Sequence, residues 1–430
     1  MINSIQLPKD KLYDETVIHD DSKWTTNNAH DPAIIKDGDW YYVFSTDAQN
    51  GGEFKAGIQI RKSQDLINWT FVGRAFAEGV PETAKKWTGA NGLWAPEVVN
   101  YGDTYYMYYA ASQFGKTQSF IGVATSDTIE GPYTDLGEVY KSVEGTDGPN
   151  AIDPNITFDR DGKPWMVYGS FFGGLYVAEI NPSTGKFVKE GRGTLLAKRN
   201  RSVDRALEGP YIVYHPTFDY YYLFVSYDSL FSNYNIRVAR SKNIEGPYVD
   251  FNGNVMTDLE KDQYTIGMKV LGGYRFEGHD GWVAPGHNSI LTDEDTYYVC
   301  HHIRAPKDKR WHYLHIRKIS WTRDGWPLVS PQRYAGETDE QVNIGRLIGK
   351  WEWIVVDQHN DGQDIATVVE LTEKSWSSLS ENCYNVSVQD TLFNGVVSNG
   401  WDWENWNETI VYMGKDSQGN VAIAKKIDNK

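Results

Sequence analysis

DPAIIKDGDWYYVFSTD, residues 31–47, contains the repeat that decides the fold of this 430-residue chain. An Asp-Pro opens a short apolar run, Lys-Asp-Gly-Asp makes a turn, and a Tyr-rich strand returns. Short strands bounded by Asp, Gly and Pro are hairpin signals. The Tyr-rich half recurs as YGDTYYMYYAA (101–111), RDGKPWMVYGS (160–170), TFDYYYLFVSY (217–227) and DEDTYYVCHHI (293–303). Each copy follows a Pro-initiated segment: DPAII at 31, APEVV at 95, DPNIT at 153, GPYIV at 209 and APGHNSI at 284. A third strand and turn come after each, as in GIQIRKSQDLINW (57–69) and NIRVARSKNIEGPY (235–248).

The shared prolines stand at 32, 96, 154, 210 and 285, so the period is 56–75 residues. That is room for four short strands and their loops, which is one propeller blade. Helical periodicity is absent between the copies. The spacing therefore predicts an all-β fold, with a five-bladed β-propeller over residues 1–338. Near residue 340 the repeat stops, and GRLIGKWEWIVV (345–356) opens new alternating strands that run to VAIAKKI (421–427). Residues 339–430 are expected to form a small C-terminal β-barrel or sandwich. The other reading, a degenerate sixth blade, lacks the Pro-initiated strand.

A net charge of −16 argues against nucleic acid or an anionic membrane surface as partner. It suits a neutral substrate and tolerates a bound hard cation. No stretch has the apolar length to cross a bilayer. Tyr and Trp, 28 and 16 of them, suit stacking against sugar rings, although strands favour aromatics anyway. Cys300 and Cys383 are far apart and read as free thiols. The opening MINSIQLPKDKLYDE has no apolar core and is not a signal peptide. The protein reads as intracellular, or as a mature form from which a leader has been trimmed.

The first strand of each propeller blade lines the central channel, so residues remote in sequence converge at one end of it. Here that rule gathers His30 with Asp31, Trp94 with Glu97, Asn150 with Asp153, Glu208 and His287. Three carboxylates among aromatics are what glycoside hydrolysis needs. One protonates the leaving oxygen, a second activates water or attacks, and a third can raise the acid's pKa. Each has a bland alternative. Asp before Pro commonly starts a turn, Glu208 could pair with Arg205, and Glu97 could face a channel cation. Asp37, Asp103, Asp161 and Asp219 belong to hairpin turns. His301, His302, His312 and His315 are strand-spaced, and a zinc site would need them to converge.

At these residues the sequence resembles glycoside hydrolase family 43, in particular its endo-α-1,5-L-arabinanases. The matching motifs are AHDPAII (29–35), LWAPEV (93–98), NAIDPN (150–155), GSFFGG (169–174), LEGPYI (207–212) and PGHNSI (285–290). The resemblance implies an inverting hydrolase of internal α-1,5 linkages in linear arabinan. Asp31 would be general base, Glu208 general acid, and Asp153 the residue that tunes and orients the acid. Substrate contacts carried over by motif are Asp31, Trp94, Phe114, Gly115, Asn150, Ala151, Ile152, Asp153, Ser170, Phe171 and Phe172. Family members often have Trp at the position of Phe172. His287 would lie beside one calcium ion in the channel, with water as most of the other ligands. The implied partner is plant cell-wall arabinan or its oligosaccharides, acted on by a monomer. Such a substrate favours secretion, while an enzyme of short oligosaccharides could remain cytoplasmic. The C-terminal segment resembles the β-barrel module of a longer subgroup. Its WDWENWNET stretch (401–409) is either a carbohydrate-contacting loop or a packed hairpin. An exo-acting arabinofuranosidase or β-xylosidase on the same scaffold is the near rival, and a non-catalytic carbohydrate-binding propeller the distant one.

Overall fold

The structure, a computed structural model, describes residues 6–9, 11–359 and 361–427. Five antiparallel sheets follow one another along the chain, each with its strands in sequence order from the channel outward. Their innermost strands are Ala33–Asp37, Trp94–Tyr101, Asn155–Phe158, Leu207–His215 and Val283–Asp293. These touch in ring order, the fifth returning to the first, so the five-bladed propeller closes. The repeat fixed this outcome because each hairpin turn and each Tyr-rich second strand can bury only one way, against the neighbouring blade.

Closure also uses the N-terminal segment. Asn27 bridges Tyr313, Asn28 N–H donates to His312 C=O, and Leu314 N–H donates to Thr26 C=O. Residues 26–28 thus extend the outer edge of the fifth blade. Arg61 holds them there. It is fully buried, and its guanidinium donates to the carbonyls of Trp24, Thr25 and Asn27. Arg237 and Arg317, at the matching place in blades four and five, grip the backbone of the segments outside their own blades in the same way.

Each innermost strand begins with an irregularity at its proline. The pre-proline residues Asp31, Ala95, Asp153, Gly209 and Ala284 all have positive φ, at 49°, 24°, 58°, 56° and 51°. A following proline normally pushes a residue toward extended backbone, so four non-glycine residues here carry strain of roughly 1–3 kcal/mol each. The ladder register shifts at the same place, between Trp94 and Glu97, Glu208 and Tyr211, and Val283 and Gly286. A bulge of this kind re-aims side chains. It turns the residues of that register toward the channel mouth.

Beyond the fifth blade, whose last strand ends at Val329, a seven-stranded antiparallel sheet forms from Gly349 onward. It curls into a half-barrel rather than a sixth blade. Its two edge strands, Thr367–Leu371 and Trp376–Ser380, bring Leu371 and Trp376 into one core with Trp351, Trp353 and Tyr412. Alternation puts Ile354, Val411, Met413 and Ile423 on the opposite face, packed against Tyr222, Phe224 and Trp326 of the propeller. A short parallel pairing of Gly273–Arg275 with Gln363–Ile365 adds a backbone link. Cys300 and Cys383 are free.

Candidate active site

The bulged register brings Asp31, Asp153, Glu208 and His287 together. His287 Nδ1 lies 3.1 Å from Asp31 Oδ1, and His30 Nδ1 lies 2.8 Å from the same oxygen. Asp153 Oδ2 accepts from Gly209 N–H at 3.1 Å. Glu208 accepts from Ser170 Oγ at 2.8 Å and from Tyr234 Oη at 2.9 Å, one on each carboxylate oxygen. Two glycines make this possible. A Cβ on Gly286 would stand 2.0 Å from the Tyr234 ring, and one on Gly209 would stand 3.0 Å from the His287 ring.

A second layer comes from the outer ends of the Tyr-rich strands. Thr46 Oγ1 donates to Asp31 Oδ2 at 2.6 Å and accepts from Ala95 N–H of the next blade at 2.7 Å. Ser170 of blade three reaches Glu208 of blade four, and Ser226 Oγ of blade four accepts from His287 N–H of blade five at 2.8 Å. His302 Nδ1 of blade five accepts from Asp31 N–H of blade one at 3.3 Å. One polar side chain per strand end therefore stitches each of four blade junctions at the catalytic register.

The electrostatics separate the carboxylates. Burial works to raise Asp31, but the charges of His287 and His30 and their hydrogen bonds outweigh it and hold the group well below the ordinary range. Burial raises Glu208, with the Asp31 charge adding to it, and His287, Ser170 and Tyr234 pull it back only in part. Burial also raises Asp153, to about 7, aided by Glu208 and Asp31 against the pull of His287. Burial alone would neutralise His287, yet Asp31, Asp153 and Glu208 push its pKa up to about 9. Environments that drive neighbouring carboxyls apart mark one as base and one as acid.

Glu208 opens onto a cleft of about 460 Å³. Of the residues expected to touch substrate, Trp94, Phe114, Gly115, Asn150, Ile152, Ser170, Phe171 and Phe172 line it. Asn150 Oδ1 is buried there without a hydrogen-bond partner, as an acceptor waiting for a donor would be. Asp31 and Asp153 are not among the cleft-lining residues. Ala151 is not among them either. Its methyl is fully buried in the core between blades two and three, with Ile121 and Tyr168. Phe231, 51 % exposed, adds an aromatic wall that the motifs did not indicate, and its ring centroid lies 6.3 Å from that of Phe114. Thr46, Tyr234 and Phe231 lie outside every Pro-initiated segment. The signal that could have found Thr46 is its place at the end of a Tyr-rich strand, shared with Ser170, Ser226 and His302.

Glu97 is buried and neutral in tendency, since burial raises its carboxyl well above the ordinary range against a weaker pull from Asn155. Arg205 is not the partner of Glu208, whose hydrogen bonds go to Ser170 and Tyr234. The blade-five histidines do not gather into a site of their own. Among the described residues the converging set is His30, Asp31 and His302, whose ligand atoms lie within 4.8 Å of one another. Those atoms are spent on holding Asp31.

A propeller mouth where a raised carboxyl opens onto an aromatic cleft, with an ionised one held behind it by His287, is the site of a glycosidase. Residues 25–327 match the Glycosyl hydrolases family 43, and residues 331–424 match a C-terminal lipocalin-like domain. The chain is 35% identical to an extracellular endo-alpha-(1->5)-L-arabinanase 2 of Bacillus subtilis, over 93% of both chains. It is 37% identical to an extracellular endo-alpha-(1->5)-L-arabinanase of Thermotoga petrophila, over 78% of this chain and 76% of that one. A crystal structure of the endo-1,5-alpha-L-arabinanase from Thermotoga petrophila superposes with a TM-score of 0.84 at 30% identity, covering 94% of this chain and 99% of the other. The chain belongs to glycosyl hydrolases family 43.

Proposed function

We infer that this protein hydrolyses internal α-1,5 linkages of linear arabinan with inversion at the anomeric carbon. The observation that carries the reading is the opposed tuning of Asp31 and Glu208 around one His287. Glu208, which burial makes hold its proton more tightly than an ordinary glutamate, gives it to the leaving oxygen. Asp31, kept ionised and fixed by Thr46 and His30, takes a proton from the attacking water. Asp153, beside Gly209 N–H, shares with Glu208 the repulsion between neighbouring carboxylates, so that once it ionises, near pH 7, it opposes loss of the Glu208 proton. Inverting hydrolysis places water between base and acid, which asks for about 6.5–9.5 Å between their carboxyl groups. Phe114, Phe172 and Phe231 provide faces on which furanose rings stack, and Asn150 Oδ1 accepts from a sugar hydroxyl.

The relatives named above are extracellular endo-arabinanases, which supports arabinan as the substrate here and a protein that works outside the cell. We also propose one calcium ion at His287. Nδ1–H donates to Asp31, and an ion at Nε2 would have to displace the proton that the three carboxylates otherwise hold there, with water supplying the oxygens that calcium prefers. Bound, the ion would add positive charge beside the carboxylates. The functional reading is tested by the products formed in the first minutes on debranched arabinan. A ladder of oligosaccharides is expected, and arabinose alone would refute endo action.

A further inference from the structure

A second cavity, of about 450 Å³, lies between the fifth blade and the C-terminal half-barrel, lined in part by Trp282, Trp403, Trp406, His315, Glu404 and Arg333. Two of these tryptophans belong to the WDWENWNET stretch, a hairpin in which Trp401 and Asp402 pair with Glu408 and Asn407 and whose turn lines the cavity. The cavity is separate from the catalytic cleft but built on a shared strand, His312–Trp321. Side chains alternate along it. His312 packs edge-on against His30 of the catalytic cluster, whereas Tyr313 and His315 face the other way into this cavity.

The polar groups are preorganised. Glu404 accepts from Gln332 Nε2 at 2.7 Å and from the fully buried Lys425 ammonium at 3.1 Å. Trp403 is held by its Nε1–H on Arg333 C=O at 2.9 Å, with the Arg333 guanidinium 4.0 Å from its ring centroid. His315 is only 1 % exposed, and Arg317 Nη2 approaches its Nδ1 at 3.2 Å. A guanidinium can only donate, so Nδ1 accepts and Nε2 carries the proton. That Nε2–H is buried without a hydrogen-bond partner. An orphaned buried donor is costly, and a ligand acceptor would recover that cost.

Tryptophan rings beside a carboxylate acceptor and an imidazole donor suit an uncharged, hydroxyl-rich ring. The lining acids are already paired, Glu404 with Lys425 and Asp280 with Lys307, while Lys9 and Arg333 lie over Trp406 and Trp403, so hydrogen bonding to a neutral hydroxyl-rich ring is what the cavity has left to offer. We propose that this cavity is a second binding site for a short run of neutral pentose residues, holding the arabinan chain at a distance from the catalytic cleft. The inference rests on the arabinan reading of the cleft.

The test is isothermal titration of the full chain carrying Glu208→Gln with linear α-1,5-arabinohexaose. Two sites are expected. Trp406→Ala and His315→Leu should each weaken one of them about tenfold or more, and His315→Gln, which keeps an N–H donor, should restore most of the loss. With Glu208 intact, kcat on arabinotriose should be unchanged in these variants while KM on polymeric arabinan rises. A single site in the parent, or a second site indifferent to both His315→Leu and Trp406→Ala, overturns the inference and leaves the cleft reading standing. Absence of any binding overturns the cleft reading itself.

Discussion

Thr46 Oγ1 donates to Asp31 Oδ2 at 2.6 Å while accepting from Ala95 N–H, so one hydroxyl locks the base to the neighbouring blade. Thr46→Val keeps the shape and removes the hydroxyl. A hydrogen bond to a charged group contributes about 1.5–3 kcal/mol. The variant should lose about 10- to 100-fold in kcat, with KM little changed and the acidic limb of the pH profile moved upward. A variant with normal kcat would show that Asp31 needs no such anchor.

The acid's tuning makes a signed prediction for pH. Asp153→Asn removes a carboxyl whose charge, present once it ionises near pH 7, opposes ionisation of Glu208, so the alkaline limb of kcat/KM moves to lower pH. Tyr234→Phe removes a donor that favours the Glu208 carboxylate, so the same limb should move to higher pH. Limbs that stay in place while the rate drops would assign both residues to folding alone.

What the sequence could reveal here was whatever repeats. The five prolines located five strained, bulged strand starts, and these carried Asp31, Asp153 and Glu208 to one end of the channel. The half-barrel was legible from its own alternation, as in Trp351 and Trp353 facing inward. Features made by contact between blades were not legible. Tyr234 reaches Glu208 only because Gly286 leaves space for its ring, and Phe231 meets Phe114 across two blades. Within NAIDPN, Asn150 and Ile152 reach the cleft while the bend at Ala151 buries its methyl in the core, a difference between sequence neighbours that a motif does not display. The tuning sets Asp31 apart as the ionised carboxyl, whereas Glu208 and Asp153 are both raised, so the choice of Glu208 as acid rests on the resemblance and on its place at the cleft.

Metal removal probes the channel ion. Exhaustive chelation should lower activity on arabinan, calcium should restore it, and magnesium should not, since it requires tighter octahedral geometry. Full activity after chelation would remove calcium from the account.

Stability of the half-barrel interface depends on Lys425, which is fully buried against Asp402, Glu404 and Glu352. Lys425→Met leaves three carboxylates uncompensated and should cost about 3–5 kcal/mol, read as a lower urea midpoint. An unchanged midpoint would mean that the carboxylates neutralise themselves without it.

The most direct test of the central claim follows hydrolysis of linear arabinan by proton NMR in its first minutes, before mutarotation. Glu208 as acid and Asp31 as base predict new β-anomeric reducing ends on oligosaccharides. An α-anomer appearing first, or free arabinose without oligosaccharides, would contradict the account.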